Sequence, residues 1–464
     1  MSDVAAETSE SPEAVEARLG STCSDLVSRA TASGADEAEA FAVTSRSVSV
    51  RYEKGDLQLT QVDEGTSWGV RVFRDKRQGF ATTNQSGDEA RTSVTADALT
   101  LAGFGVPDDA NLLPEARPIA ALPPMVDPTL SGLGVESIVE RAHGLVAATL
   151  AVDPRVSLDQ ASMEVSTTTV AVASSTGVSA AESDAHLSMM LFGMAIDGDD
   201  VGGFDYQGFV SRELERVAAA RSGLVNRFTA AALGNLGAGA SESYEGPVLF
   251  SPAAFAEIFV SPLVSAASAI AVQRGRSVLA GKVGEQVADA RLAVRDDPTD
   301  LGLAGAASFD REGQPCGAFP IVEGGVLRGL LYNNYAARMD GVQSTGHAAG
   351  GARAVPGLGT HALSVDAGGG GDEAAMVAAL DRGLIVNRFS GTVDPASGDF
   401  SGVAKSARWV EGGKVVRPVR ETLIAGNALK LLSSLVALSS EREELMGSTR
   451  MPWALIDGVS VTAG

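Results

Sequence analysis

Short strand-like segments separated by glycine-rich turns recur throughout the second half of the chain. From Gly246 onward the sequence passes through turns such as F-D-R-E-G, V-E-G-G-V-L, S-G-D-F-S and W-V-E-G-G-K-V-V. Turns at this density leave room only for short strands, which indicates a mostly antiparallel sheet or a barrel-like body. Helices near 252–272, 372–382 and 426–440 are predicted to cover this sheet.

The first hundred residues show a different pattern, in which helices enclose a group of strands. Apolar residues recur at helical spacing from residue 13 to about residue 32, and Gly34 then ends the helix. Four strand-like segments follow, separated by the turn sequences E-K-G-D and D-E-G-T, and a second helix is predicted near 87–102. This order of elements predicts an α+β unit.

A stretch rich in Pro, Asp and Asn at 104–127 has no clear period, so it is interpreted as a linker. A helix at 135–152, long strand-like stretches and a polar helix at about 212–233 follow. The predicted fold class is α+β. The predicted organisation is a disordered tail at 1–12, an N-terminal α+β domain at 13–103, the linker at 104–127, a central domain at 128–235 and a C-terminal β-rich domain at 240–464.

Charge and hydropathy exclude several classes of partner. The net charge of −22 gives a surface that repels phosphate backbones and anionic lipid. The longest uncharged apolar run, 258–272, is broken by Pro262 and is shorter than the ~20 residues that a membrane-spanning helix needs. The acidic first residues do not resemble a signal peptide, and there are only two cysteines, Cys23 and Cys316. We therefore expect a cytoplasmic protein with reduced thiols and with neither nucleic acid nor membrane as a partner.

The distribution of histidine argues against a metal site in this chain. None of the four histidines is followed by Glu, and no two of them lie four residues apart. The helical zinc arrangement, two His on one face with a Glu that activates water, is therefore absent. A hydrogen-bonding or solvated role is favoured for the third histidine, which lies in the glycine-rich sequence S-T-G-H-A-A-G-G. The histidines are His143, His186, His347 and His361.

Other candidate sites receive structural interpretations. Cys316, in Q-P-C-G-A-F, has no sequence neighbour that would lower its pKa, so a structural thiol is predicted. The carboxylates that occur in pairs are interpreted as solvated turn-formers. The methionines at 189, 190 and 194 are interpreted as apolar packing, and A-G-G-G-G-D at 367–372 as a flexible loop, since it lacks the Gly-Lys-Ser/Thr ending of a phosphate-binding loop. The carboxylate pairs are Asp199 with Asp200, Asp296 with Asp297, and Asp310 with Glu312.

A series of short motifs follows a fixed order along the chain. Looser matches come first, including Y-E-K-G-D, G-V-R-V-F and S-S-T-G-V-S. The later motifs are G-P-V-L-F-S-P-A-A-F-A-E-I-F, G-R-S-V-L-A-G-K-V-G-E-Q-V, R-D-D-P-T-D-L-G-L, F-D-R-E-G-Q-P, V-E-G-G-V-L-R-G-L-L-Y-N-N-Y-A-A-R, S-T-G-H-A, R-G-L-I-V-N-R-F-S-G, S-G-D-F-S and I-A-G-N. In number, order and spacing they resemble the TldD/PmbA family of metalloprotease subunits, and within it the PmbA (TldE) branch, over roughly residues 15–464.

The resemblance implies a heterodimeric metalloprotease. In that family the TldD subunit carries an H-E-x-x-x-H helix and a later cysteine that together hold zinc. The TldE subunit shares the fold but lacks the zinc motif. Together the two subunits enclose a chamber that trims unfolded or extended peptides, including precursors of peptide natural products. For this chain the resemblance implies a TldD-like partner that carries the zinc, and a peptide substrate.

The chain departs from the zinc-binding subunit where the metal ligands would stand. In the family the zinc helix follows the strand matched here by 248–250, but the helix here reads A-A-F-A-E-I-F, and no cysteine follows Cys316. We therefore assign no catalytic, cofactor-binding or metal-binding residue to this chain. After S-G-D-F-S the family usually continues with glycine-rich sequence. Val403 and Lys405 stand here instead, and they are predicted to narrow any passage beside the loop that follows Phe400.

The leading hypothesis is a catalytically silent subunit of a TldD/TldE-type zinc peptidase, which completes the substrate chamber. The alternative is a stand-alone, homodimeric protein that binds peptide without cleaving it, or that carries out a tailoring reaction of its own. A purely structural scaffold is a third hypothesis. Metal analysis and a peptidase assay on the purified chain alone discriminate between the first two hypotheses.

Overall fold

The computed structural model describes residues 10–464. Most of the predicted tail, residues 1–9, lies outside the described residues, and the first helix begins at Pro12. The structure has two large sheets with helices packed against them, which confirms the predicted α+β class. Among the described residues no helix is both long and apolar enough to cross a membrane.

The N-terminal sheet is antiparallel and has seven strands in the order β3-β2-β1-β4-β5-β6, with β7 paired to β5. Its strands are long, and β1 pairs along its length with both β2 and β4. Strands from the predicted N-terminal and central domains therefore lie in one continuous sheet. The strands are β1 Glu37–Glu53, β2 Asp56–Arg74, β3 Arg77–Thr83, β4 Val156–Ser174, β5 Ser179–Asp197, β6 Asp200–Val201 and β7 Asp205–Ser211.

Helices cover this sheet through two apolar cores. One core joins α1 and α2 to small residues of β1 and to β2, while the other joins α4 and α5 to β4 and β5. The helix α1 begins at an N-cap serine, Ser11, and its buried residues recur at helical spacing, as the sequence predicts. The helices are α1 Pro12–Ala32, α2 Asp88–Phe104, α3 Pro128–Ser131, α4 Val135–Leu150 and α5 Leu214–Gly234.

The C-terminal sheet has thirteen strands and is mostly antiparallel, as the density of turns predicts. Its centre departs from that pattern, because β15 runs parallel to β8. The strands, including the separate pair β12 and β13, are β8 Tyr244–Phe250, β9 Val294–Asp296, β10 Phe319–Glu323, β11 Val326–Leu327, β12 Ala348–Ala349, β13 Gly357–Leu358, β14 Leu363–Val365, β15 Gly383–Val386, β16 Arg388–Val393, β17 Asp399–Lys405, β18 Ala407–Glu411, β19 Lys414–Val419, β20 Leu423–Asn427, β21 Leu435–Leu445 and β22 Thr449–Thr462.

The covering helices are shorter than the sequence predicts. The helix expected at 252–272 is divided into four pieces, one of them a π-helical turn. The helix expected at 426–440 is wrong beyond Ser434, because the chain then enters β21, which pairs with β22 and buries Leu435 and Leu438. The pieces are α6 Pro252–Phe255, the π turn Ala256–Val260, α7 Ser261–Ala266, α8 Ala269–Gln273, α9 Asn334–Asp340, α10 Glu373–Leu380, α11 Ala428–Leu431 and the 3₁₀ turn Leu432–Ser434.

Candidate functional site

The carboxyl ends of two parallel strands meet at the start of α6. Val386 of β15 lies opposite Phe250 of β8, so Ser251 and Asn387 follow the two strands at the same edge. The Ser251 hydroxyl accepts a hydrogen bond from the Ala254 N–H (3.2 Å) and donates one to the Asn387 carbonyl (2.6 Å). It therefore caps the helix and also ties it to the neighbouring strand.

The helix buries one face and presents the other to a cavity. The rings of Phe250 and Phe259 lie 4.9 Å apart, and that of Phe400 lies 5.8 Å from Phe259, so these aromatics anchor the π turn in the core. Ala253 and Glu257 lie on the other side, in the wall of the cavity. A π turn inside a helix is frequently found at a functional site, because the inserted residue re-aims its neighbours.

The cavity has a volume of about 920 Å³ and lies between the two large sheets. The N-terminal part contributes β7 and α5, and the C-terminal part contributes the α6 region, the end of β15, β18 and β21. A volume of this size is typical of ligand sites. The cavity is therefore the candidate functional site.

Most charges in the wall are already paired. Arg216 lies 3.1 Å from Glu444, and Arg408 donates to Glu373 at 2.9 Å. The Nε atom of Arg388 lies 3.6 Å from Asp205, and its guanidinium also donates to the Phe204 carbonyl. The Arg388 side chain lies over the ring of Tyr206, 4.8 Å from its centroid, which fixes the guanidinium further.

Glu257 differs from these carboxylates. It is exposed to the cavity, and among the described residues it forms neither a hydrogen bond nor an ion pair. The surrounding protein raises the pKa of Glu257 by removing water, and the charge of Arg388 opposes this only in part. The sequence interpretation of Glu257 as an ordinary helix acid did not include its place in a cavity.

Residues at the two strand ends were missed as candidates by sequence reasoning. Asn387 and Arg388 lie in the motif V-N-R-F-S, directly after an entirely buried strand, and Asp205 opens β7. Polar residues directly after a buried strand, at an edge where parallel strands end, were the available signal. Val403 and Lys405 belong to the paired strand β17 and not to a loop, and neither borders the cavity.

A second polar cluster is buried in the C-terminal part. The Asp296 carboxylate accepts hydrogen bonds from the backbone N–H groups of His361 and Ala362, and it lies 3.3 Å from a ring nitrogen of both His347 and His361. Burial alone would raise the pKa of Asp296, but the two imidazoles hold it well below its usual range. His347 is buried and hydrogen-bonded to Thr345 (2.8 Å), so the hydrogen-bonding interpretation is right and the solvated one is wrong.

Cys316 lies beside this cluster in the folded chain. Its Sγ atom lies 3.7 Å from Nε2 of His361, a neighbour that is distant in sequence. Burial raises the pKa of the Cys316 thiol, and the carboxylates of Asp310, Asp296 and Glu182 raise it further. The thiol is therefore held in its protonated, weakly nucleophilic form, which supports the structural interpretation.

The motif F-D-R-E-G forms a buried ionic network with the N-terminal sheet. Arg71 donates to Glu39 (2.7 Å) and to Glu312 (2.9 Å), and Arg311 donates to the other oxygen of Glu39 (2.9 Å). Burial and the charge of Glu312 raise the pKa of the adjacent Asp310 to about 7. Asp296, Asp310 and Glu312 are buried, so the solvated part of their interpretation is wrong. Asp310 does form a turn, because its carboxylate accepts the N–H groups of Glu312 and Gln314. The three acids compensate buried arginines or accept backbone hydrogen bonds.

The remaining candidates lie apart from the cavity. Met189 packs in the core between β5 and α5, while His143 is exposed beside Tyr52. Asp200 lies in the exposed β6 and accepts the Gly237 N–H (2.6 Å). Within residues 10–464, no group of three or more His, Cys, Asp or Glu side chains is placed to hold a metal ion.

Comparison with known families gives two matches. Residues 242–463 match the PmbA/TldA metallopeptidase C-terminal domain, and residues 38–102 match the PmbA/TldA metallopeptidase domain 1. The first match contains the α6 region, the strand ends at Asn387 and the buried cluster. The second contains most of the N-terminal sheet's first three strands.

Individual proteins agree with these matches over nearly the full length. The chain is 26% identical to the metalloprotease PmbA homolog of Haemophilus influenzae, over 93% of each chain, and 26% identical to metalloprotease PmbA of Escherichia coli O157:H7, over 89% of each. The crystal structure of TldE from Thermococcus kodakarensis superposes with a TM-score of 0.87 at 23% identity, covering 95% of this chain and 100% of that one. That structure has the same fold.

Proposed function

The chain belongs to the PmbA/TldD metallopeptidase family, in its PmbA (TldE) branch, and on this premise we propose that it is the zinc-free subunit of a two-subunit peptidase. A TldD-like partner would carry the zinc, and this chain would complete the chamber in which unfolded peptides or peptide natural-product precursors are trimmed. The complex would act in the cytoplasm. The chain alone would be catalytically inactive.

One observation carries the proposal. The helix that follows β8 stands in the wall of a cavity of about 920 Å³, at the place where the family resemblance puts the zinc helix of the other subunit. Here it presents Ala253, Ala256 and Glu257, and a lone carboxylate does not make a catalytic zinc site, which takes three protein ligands. The arrangement supports a role in holding substrate, with the hydrolytic step left to a partner.

Co-purification tests the proposal. Affinity-tagged chain, isolated from its native host, is expected to bring down a protein with an H-E-x-x-x-H motif in roughly equal amount. Peptidase activity on an unfolded polypeptide is expected only after that partner is added. Isolation of the chain without such a protein would contradict the proposal, as would tightly bound zinc and cleavage by the chain alone.

The alternative candidate uses the same cavity without a zinc-bearing partner. A stand-alone homodimer could therefore bind peptide without a partner or a cleavage step. Denaturing gel electrophoresis and mass spectrometry of the dimer purified from the native host separate the two candidates, because a homodimer contains one kind of chain and the heterodimer two.

A further inference from the structure

Three oxygen acceptors in the cavity wall have no hydrogen-bond donor among the described residues. The first is Oδ1 of Asp205, a residue that is only 1% exposed. Its other oxygen accepts from the Ser406 hydroxyl (2.5 Å) and faces Arg388. A buried carboxylate oxygen without a donor costs free energy, so an N–H or O–H group that donates to this oxygen would stabilise the site.

The second acceptor is Oδ1 of Asn387, which is likewise buried and without a donor. Its backbone is fixed by the hydrogen bond from Ser251, at the edge where β8 and β15 end. The third acceptor is the Glu257 carboxylate, which lies in the π turn that follows α6. All three side chains line one cavity.

The arginines in the described wall of the cavity do not donate hydrogen bonds to these three acceptor groups. Arg216 is paired with Glu444, and Arg408 with Glu373. Arg388 faces the Oδ2 atom of Asp205 at 3.6 Å and leaves the Oδ1 atom without a donor. Arg442 donates to the Val365 carbonyl, while burial raises the pKa of Glu443 and the charge of Arg227 opposes this rise only in part. In the described part of the chain, Glu257 forms no ion pair, although the charge of Arg388 acts on it from a distance.

We propose that the cavity binds a positively charged nitrogen group of a peptide, an ammonium or a guanidinium, on Glu257, with Asp205 and Asn387 as further acceptors of its N–H groups. The inference rests on the proposed function, because that is what makes the ligand a peptide. The group can come from a free amino terminus or from a Lys or Arg side chain, and both present several N–H donors. Tyr206 in the same wall is exposed and offers apolar surface to an aliphatic stem.

Binding of short peptides to the purified full-length chain tests the inference. The probes are acetyl-Ala-Ala-Lys-Ala-Ala-amide, the same peptide with acetyl-lysine, the same peptide with Glu in place of Lys, and Ala-Ala-Ala-Ala-Ala-amide with a free amino terminus. We expect the Lys peptide or the free-amine peptide to bind at least about tenfold more tightly than the acetyl-lysine peptide, a difference that isothermal titration calorimetry resolves. The stronger of the two identifies the source of the charged nitrogen.

Two variants locate the site. Glu257→Gln should abolish the preference for the charged peptide, whereas Glu285→Gln, which removes an exposed glutamate outside the cavity, should leave it unchanged. Asn387→Asp adds a carboxylate and should strengthen binding of the charged peptide several-fold. This gain cannot result from misfolding. Circular dichroism confirms that each variant is folded.

Three outcomes would overturn the inference: equal binding of charged and acetylated peptides, a preference that survives Glu257→Gln, or no binding of any probe. The measurement uses the full-length chain, which itself carries all three acceptors. The proposed function is tested separately by co-purification. If the chain co-purifies with a zinc-bearing partner but binds charged and acetylated peptides equally, this inference is refuted and the proposed function is not.

Discussion

Asp296 shows how one buried carboxylate organises two histidines. Its oxygens accept two backbone N–H groups and lie 3.3 Å from both His347 and His361, and this environment lowers its pKa despite complete burial. The folded state therefore favours the ionised form more strongly than the unfolded state does. This contribution to the free energy of unfolding is present above the ordinary Asp pKa of about 4 and is lost as the pH falls below it.

We expect Asp296→Asn to lower the free energy of unfolding by about 2–3 kcal/mol at pH 7, because buried N–H donors lose a charged acceptor. Urea denaturation at several pH values measures this loss, which should shrink as the pH is lowered below about 4. The neighbouring variant Asp297→Asn is the control, since that carboxylate accepts only from Thr299, and it should show little loss. A loss for Asp296→Asn that stays constant with pH would contradict the electrostatic explanation.

The two cysteines should differ from ordinary thiols in reactivity. The pKa of Cys316 is raised by burial and by three carboxylates, and burial raises the pKa of Cys23 to about 12. Only the thiolate is alkylated, and each unit of pKa reduces its fraction about tenfold at neutral pH. Iodoacetamide at pH 7.5 is therefore expected to modify partly exposed Cys316 at least about tenfold more slowly than glutathione, and buried Cys23 more slowly still.

Mass spectrometry of tryptic peptides follows the two sites separately. Alkylation in urea is the control, because unfolding removes both causes of the raised pKa and should bring the two rates together. Rapid modification of Cys316 in the folded protein would show that His361 activates the thiol, and would overturn its structural interpretation.

At the scale of elements, the capping residue at the start of α6 also supports the wall of the cavity. Ser251 caps the helix and donates to the carbonyl at the end of β15. We expect Ser251→Ala to cost about 1–2 kcal/mol in the free energy of unfolding, the upper range for an N-cap, because both hydrogen bonds are lost. Ser11→Ala, at the exposed cap of α1, is the matched control and should cost clearly less. Equal losses in urea denaturation would contradict the additional role of Ser251.

The sequence predicts helices and strands correctly where the hydrophobic periodicity agrees with the turn and capping residues. The helices at 13–32 and 135–152 were correctly placed, and the turn density indicated the antiparallel sheet. The segment L-V-A-L-S-S at 435–440 is predicted as helix but forms a strand. Its apolar spacing fits both a helix and a strand, and only the pairing of β21 with β22 decides between them.

The candidate site could be predicted only in part. The cap at Ser251 and the helix without metal ligands follow from sequence, because both depend on residues close together in the chain. That Asp205, Glu257 and Asn387 line one cavity does not, since they lie in separate segments of the chain. The parallel pairing of β8 and β15 brings two of those elements together, and nothing in the intervening sequence indicates it.

At the scale of the whole molecule, the N-terminal sheet is tied to the C-terminal part through a face without helices. Small residues of β1, such as Ala40, face the helices, while Glu39 and Phe41 alternate with them and face the F-D-R-E-G segment. The guanidinium of Arg311 lies 3.8 Å from the centre of the Phe41 ring. Although burial opposes ionisation, Arg71 and Arg311 hold the pKa of Glu39 below its usual range. The cavity lies between the same two parts, so this network fixes its walls relative to each other.

Removing one charge from this network should therefore weaken the attachment of the N-terminal sheet to the C-terminal part. Glu312 accepts from Arg71 and from the Asn334 N–H (2.8 Å), and Glu312→Gln leaves buried Arg71 with less compensating charge. We expect a loss of about 3–5 kcal/mol in the free energy of unfolding, as for other broken buried ion pairs. Differential scanning calorimetry should show one transition separating into two. The control is Glu323→Gln, which breaks an exposed pair with Arg328 and should cost less than about 1 kcal/mol. If Glu312→Gln unfolds in a single transition at the wild-type temperature, the network does not couple the two parts.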